Sequence, residues 1–498
     1  MIPRRAAGAA LAGALALALA GCGLLPSTSS VEAVDFDEPL AIPPLAESRI
    51  EDGVRVFDLA AEEGRTSFSG LPATATRGYD GGFLGPTLRA ARGERIAVRV
   101  SNELTDETTV HWHGMHLPAA MDGGPHQPIA PGETWEASWT IDQPAATLWY
   151  HPHPHGETEN QVHAGLAGLF LLDDEESLAA ELPSEYGADD VPVVIQDRDL
   201  DVETGELRVD GLDGGGGEVG LLGGTIMTNG VVGAFHRVSS DRVRLRLLNG
   251  STARVYDLGF ADREVDLVAT DGGLLPEPVR TGSVRLSPGE RAEIVVGMRP
   301  GERAMLRSTP PDLGRIAAGF AAGENDGFDV LELRADDDLR SLPEPSWDAP
   351  ERRPLDEAAA SAHREFELEG RRINGREMDM TRIDETVSAG ATEIWTVRNG
   401  EMSPHNFHVH DVQFEVLSID GDPPPAELAG RKDTIYLEAF RAYRLIMRFD
   451  GEADPDAPYM YHCHLLQHED EGLMGQFVVV EPGSSAVEGG PGEHDGHG

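Results

Sequence analysis

Cysteine is nearly missing from this chain: its 498 residues include two, Cys22 and Cys463. That rules out a disulfide-stapled scaffold. Positive charge is scarce as well. There are 40 basic residues, with Lys432 as the one lysine, against 87 acidic ones, for a formal net charge of −47. Such a surface repels phosphate, which excludes nucleic acid as a partner. The acid runs at 173–176 and 336–338 read as solvated loops. Long apolar stretches are also wanting. The one at residues 6–20 is too short to cross a bilayer and fits the core of a signal peptide. What remains is 40% hydrophobic residues with 58 glycines and 34 prolines, which suits a large all-β protein of about three domains.

Arg4 and Arg5 precede the apolar run, and no acid occurs before Glu32. The run ends in Leu19-Ala20-Gly21-Cys22, similar to the bacterial lipobox, in which the cysteine is acylated. The expectation is an exported, extracytoplasmic protein of the cell envelope, with the membrane as a partner only through a lipid on Cys22. A plain signal peptide containing a cysteine is the alternative. Sec and twin-arginine export both stay open.

Three segments resemble one another: GERIAVRVSNEL at 93–104, SDRVRLRLLNGS at 240–251 and TEIWTVRNGE at 392–401. Ile96, Val98 and Val100 alternate, as do Val243, Leu245 and Leu247, which is the period of half-buried strands. The closing asparagines, Asn102, Asn249 and Asn399, are 147 and 150 residues apart, a spacing that predicts three copies of one β-domain. Nine residues beyond Asn102 and Asn399 stand His111 and His408, followed two later by His113 and His410; the middle copy has Leu258 and Phe260 there. Further on, WYHPHPHG (149–156) aligns with MYHCH (460–464), matching His151 with His462 and His153 with His464. Eighteen histidines scattered at random over this length give fewer than one His-x-His pair.

Residues i and i+2 of a strand share a face, whereas on a helix they diverge. Four pairs thus offer eight imidazoles, too many for one ion and enough for a cluster of about three. Cys463, between His462 and His464, must then face the other way. With His468 and a second histidine, for which His405 of the same copy is the natural choice, it makes a His₂Cys set typical of blue copper.

HWHG, WYHPHPHG, HNFHVH and HCHLLQHED, in that order, closely resemble the multicopper oxidases, over about residues 50 to 482. The resemblance implies three cupredoxin-like Greek-key β-barrel or sandwich domains with four copper ions per chain. His405, Cys463 and His468 would bind the type 1 copper, and His111 and His408 the type 2. His113, His151 and His464 would hold one type 3 copper, and His153, His410 and His462 the other. Asp122 and Glu469 match residues that assist proton delivery in relatives; otherwise Asp122 fixes a glycine turn and Glu469 makes a structural hydrogen bond. The expected layout is a signal peptide at 1–22, a flexible linker at 23–45, cupredoxin domains at 46–178, 190–335 (no copper ligands) and 361–482, a linker at 336–360 and a disordered tail at 483–498.

Some positions depart from the family. The axial methionine expected ten residues after Cys463 is Leu473, with Met474 one later, which predicts a three-coordinate type 1 copper. Asn406 and Asp411 stand where proline and glycine are common. His116, His126, His155, His163, His236, His363, His494 and His497 are read as non-ligands. The resemblance implies an oxidase that takes single electrons from a small reductant and reduces O₂. With 12 methionines in all and none in 341–360, phenols or aromatic amines are favoured over Cu(I). Glu401, four residues before His405, is either a substrate contact or an exposed loop acid. The alternatives are a cuprous or other metal-ion oxidase, a copper nitrite reductase, a copper-binding or electron-carrier lipoprotein without turnover, and a structural envelope protein.

Overall fold

The computed structural model describes residues 27–484 apart from 69, 202–203, 209–218 and 348–353. The signal peptide, Cys22 and the tail with His494 and His497 lie outside the described residues. The chain is all-β, built from three successive pairs of packed sheets. In the first unit a five-stranded sheet containing Val54–Thr66, Arg95–Asn102 and Thr134–Thr140 packs on a four-stranded one containing His111–His113, Thr147–His151 and Gly168–Asp173. The middle unit has two six-stranded sheets and the third two five-stranded ones.

The three asparagine-terminated strands occupy one position. Arg95–Asn102, Arg242–Asn249 and Ala391–Asn399 each pair parallel with an earlier strand, Val54–Thr66, Asp190–Arg198 or Ala362–Glu369. Each also pairs antiparallel with a later one, Thr134–Thr140, Arg291–Gly297 or Ala442–Phe449. The alternating Ile96, Val98, Val100, Val243, Leu245 and Leu247 are all buried in their units' cores.

The asparagines repeat in detail. Each side-chain amide donates to two backbone carbonyls: Asn102 to Asp106 and Ile129, Asn249 to Arg254 and Leu286, Asn399 to Ser403 and Leu437. Each side-chain oxygen accepts the N–H two residues on. One buried amide thus satisfies the backbone where every copy's strand ends.

Two stretches expected as linkers carry structure. From residue 28 the N-terminal segment is docked on the middle unit: Thr28 N–H donates to Asp326, Glu38–Pro39 pairs with Ala234 and Phe235, and Phe36 and Leu40 are buried. The strand Phe328–Arg340 runs five residues into the segment beginning at 336.

Candidate metal centre

The eight paired histidines converge between the first and third units, all buried. His111–His113 lies antiparallel to Thr147–His151, with His111 opposite His151. His405–Val409 lies against Asp454–His462, with His408 opposite His462. Only His111 and His113 both sit inside a strand; His153, His410 and His464 fall just past strand ends. Pleating therefore accounts fully for one pair. In the others the strand delivers the first imidazole and the departing chain the second.

The convergence is close. Nε2 of His462 is 3.3 Å from that of His153 and 3.2 Å from that of His410, and the Nε2 atoms of His151 and His464 are 3.4 Å apart. Two trios, His153–His410–His462 and His113–His151–His464, each bring their ligand atoms within 4.8 Å, as does His111–His113–His408. Nε2 of His111, Nδ1 of His113 and Nε2 of His408 are buried with no hydrogen-bond partner.

Most of the second nitrogens face outward onto fixed partners, whereas Nδ1 of His464 is buried with none. Nδ1 of His111 and His408 lie 3.0 Å and 2.9 Å from the backbone oxygens of Asp122 and Asp433. Nδ1 of His410 donates to Asp122 Oδ2 at 2.7 Å, and that of His151 to the Pro152 carbonyl at 2.8 Å. Glu469 spans two rings, its carboxylate oxygens 3.1 Å from Nδ1 of both His153 and His462. Such outward bonds fix ring orientation and tautomer. Burial, reinforced by neighbouring rings, pushes the pKa values of His113, His151, His408 and His464 well below the ordinary value. Neutral imidazoles with bare nitrogens aimed at one another repel, and a shared cation relieves that repulsion. The donor set fits copper.

Cys463, one residue past the strand that ends at His462, faces the other way. Its Sγ is 3.6 Å from Nδ1 of both His405 and His468, and those nitrogens are 3.1 Å apart. Burial pushes the thiol up to about 12, so the thiolate forms only as a cation replaces the proton. Leu473 shares the hydrophobic cluster of Cys463, which Met474 does not join. Asn406, standing in for proline, accepts the His464 N–H and donates to Ser287 and Pro288 of the middle unit. Glu401, 2.9 Å from Nε2 of His405 and partly exposed, holds the outer edge of that ring.

Asp122 and Glu469 are both buried against cluster rings. Burial acts to raise each pKa, but the adjacent imidazoles outweigh it and the net shift is downward. His126 bonds Gln476, His163 the Arg208 carbonyl and His236 the Ala188 carbonyl, while His155 and His363 are exposed. His116, in a cleft between the first and third units, joins no donor group. Asp433 and Thr434, which no motif in the sequence marks, hold His113 through Nε2 at 3.0 Å and 3.1 Å. Nothing in the KDT triplet distinguishes it from other surface-like sequence.

Residues 60–177 and 346–483 match multicopper oxidase family profiles. The chain is 34% identical over 454 residues to the multicopper oxidase Mco of Staphylococcus haemolyticus (strain JCSC1435), covering 89% of this chain and 92% of that one. It is also 34% identical over 466 residues to the cell division protein FtsP of Escherichia coli (strain K12), covering 92% and 95%. A solved structure, the laccase-like multi-copper oxidase CueO of Ochrobactrum sp., superposes with a TM-score of 0.80 at 36% identity, covering 89% of this chain and 100% of that one.

Proposed function

The chain belongs to the multicopper oxidase family, and from that premise we propose that it couples one-electron oxidation of phenols or aromatic amines to reduction of O₂ to water. Four copper ions, when bound, supply the electron uptake and the oxygen chemistry. His405, Cys463 and His468 hold the type 1 ion and His111 and His408 the type 2. The trios His113–His151–His464 and His153–His410–His462 hold the type 3 pair. The observation that carries this reading is that every one of these eleven donors is buried, with its donor atom in a group of compatible spacing.

The chain's residues perform the remaining tasks. Glu401, itself partly exposed, fixes the outer nitrogen of the buried His405 imidazole, on the side where an electron donor docks. The His462-Cys463-His464 stretch links the two centres through one short run of backbone. Water formation consumes four electrons and four protons per O₂, and Asp122 and Glu469, each against rings of the cluster, are the groups that hold or pass those protons. The dearth of methionine supports an organic reductant over Cu(I). Export with a lipid on Cys22 belongs to the same proposal; among the described residues no helix is long and apolar enough to cross a membrane. Similarity to the cell division protein FtsP makes a role in division the second reading, and retention of a full donor set favours turnover over it.

Oxygen uptake by copper-loaded protein, compared among phenols, aromatic amines, Cu(I), Fe(II) and Mn(II), tests the assignment. The organic reductants are expected to give the highest kcat/KM. Uptake with Cu(I) alone would move the protein to the metal-ion oxidases, and no uptake with any reductant would end the enzyme reading.

A further inference from the structure

Seven of the eight cluster imidazoles turn Nε2 inward, and His113 does the reverse. Its Nε2 faces Asp433 Oδ1 at 3.0 Å and Thr434 Oγ1 at 3.1 Å, leaving Nδ1 as the bare buried nitrogen. A carboxylate accepts only, so Nε2 of His113 carries the proton and Nδ1 the free lone pair. The orientation of this one donor thus depends on where the Asp433 carboxylate sits.

That carboxylate is gripped from the middle unit, which contributes no donor of its own. Arg291, fully buried, bridges both oxygens: Nη1 to Oδ1 at 2.6 Å and Nη2 to Oδ2 at 2.7 Å. The guanidinium is itself anchored on three sides. Nε donates to the Thr147 carbonyl of the first unit at 2.9 Å, Nη1 to the Gly289 carbonyl at 3.1 Å and Nη2 to the Asp271 carbonyl at 3.2 Å. One side chain therefore binds first, middle and third units together at the back of the cluster. A fork held this way fixes the carboxylate plane as a point charge does not. Two residues earlier the turn presses on the same rings: a Cβ at Gly289 would stand 3.1 Å from His113 Cε1 and 3.2 Å from His464.

We infer that Arg291 is a positioning residue for the trinuclear cluster, acting through Asp433 to hold His113 with Nδ1 toward the metal. The ligand-free middle unit thereby serves as the clamp of a site built by its two neighbours. Without the fork the Asp433 carboxylate is free to turn toward Nδ1 of His408, 3.7 Å away. The His113 ring then loses its fixed tautomer. The inference rests on the copper assignment proposed above.

The test compares Arg291→Met and the milder Arg291→Lys with Arg246→Met in copper-loaded protein. Arg246 is a comparably buried arginine that pairs with Asp190 and Glu293 and also reaches Thr147, with no bond to any histidine. The readouts are copper per chain during exposure to a chelator and the blue absorbance of the type 1 site. Loss of cluster copper is expected to quicken by at least about tenfold in Arg291→Met, by less in Arg291→Lys, and not in Arg246→Met, with the blue band retained throughout. Selective ¹⁵N-histidine spectra of the copper-free variants should show mixed His113 tautomers where the unmodified protein shows Nε2–H alone. If Arg291→Met does not fold, Arg291→Lys carries the test. Copper retention equal to the unmodified protein in the Arg291 variants, or equal loss in Arg246→Met, overturns the inference. An unmodified protein that binds fewer than four coppers instead overturns the copper assignment.

Discussion

The middle unit and its two neighbours differ least where their chemistry differs most. Nine and eleven residues beyond Asn249 stand Leu258 and Phe260, buried in an ordinary core. At the same offsets from Asn102 and Asn399 stand His111 with His113 and His408 with His410, equally buried. The supporting asparagine network is the same in all three. A shared scaffold thus carries either an apolar core or paired imidazoles, and the choice is made by a few inward positions. The sharpest way to break this comparison is to convert the third unit to the middle pattern. His408→Leu with His410→Phe is expected to abolish oxygen uptake and leave about one copper per chain, with the blue type 1 absorbance intact because His405, Cys463 and His468 are untouched. Retention of cluster copper in that variant would mean that the paired histidines are not its ligands.

A smaller effect separates ligands from the groups that aim them. Asp122 touches two rings, accepting from His410 through its carboxylate and meeting His111 at its backbone oxygen. Asp122→Asn leaves the backbone contact and replaces a charged acceptor with a neutral one. We expect kcat to fall by about 10–100-fold at nearly unchanged copper content and KM, measured by oxygen uptake and metal analysis. A parallel loss of copper would reduce Asp122 to a purely structural support.

How much of this was visible in the residues follows from which interactions are local. The strand alternation at Ile96 to Val100 is a short-range consequence of pleating, and the asparagines are legible as a repeat. The opposed directions of Cys463 and its flanking histidines follow from their being neighbours at the end of one strand. The docking of Phe36 and Leu40 on the middle unit is a long-range event, and an acidic, proline-containing stretch gave no sign of it. The same holds for Arg291, Asp433 and His113, which lie 142 and 320 residues apart in sequence along the two contacts. Tautomer direction at His113 depends on that distant carboxylate, so no motif around HWHG encodes it.

Comparison within the third unit gives a subtler contrast. Leu473 lies in the cluster that contains Cys463, while Met474 opens the next strand opposite His462. A thioether at position 473 offers copper a weak axial donor that leucine lacks. Leu473→Met is therefore expected to lower the type 1 potential by redox titration, with the cluster unaffected. Equal potentials in the two proteins would show that Leu473 does not occupy the axial position.

The smallest effect comes from setting three turns side by side. The backbone oxygens of Asn102, Asn249 and Asn399 accept from Gly132, Gly289 and Phe440 at 2.7, 2.9 and 2.8 Å. All three donors have left-handed φ, at 82°, 84° and 62°. Two copies use the residue that tolerates this conformation, and the third uses a phenylalanine that is 46% exposed. Left-handed backbone costs a residue with a Cβ about 1–2 kcal/mol, and glycine gives back about 0.5–1 kcal/mol through the entropy of the unfolded chain. A half-exposed ring contributes little burial against that difference. Phe440→Gly is accordingly expected to stabilise the third unit by about 0.5–1 kcal/mol and to raise the thermal midpoint by about 1–2 °C. Gly132→Ala, where a Cβ meets nothing within 4 Å, pays the conformational term alone and should lower the midpoint. Calorimetry on copper-free protein checks both. A midpoint lowered by Phe440→Gly would mean that the ring's own contacts exceed the strain of its backbone.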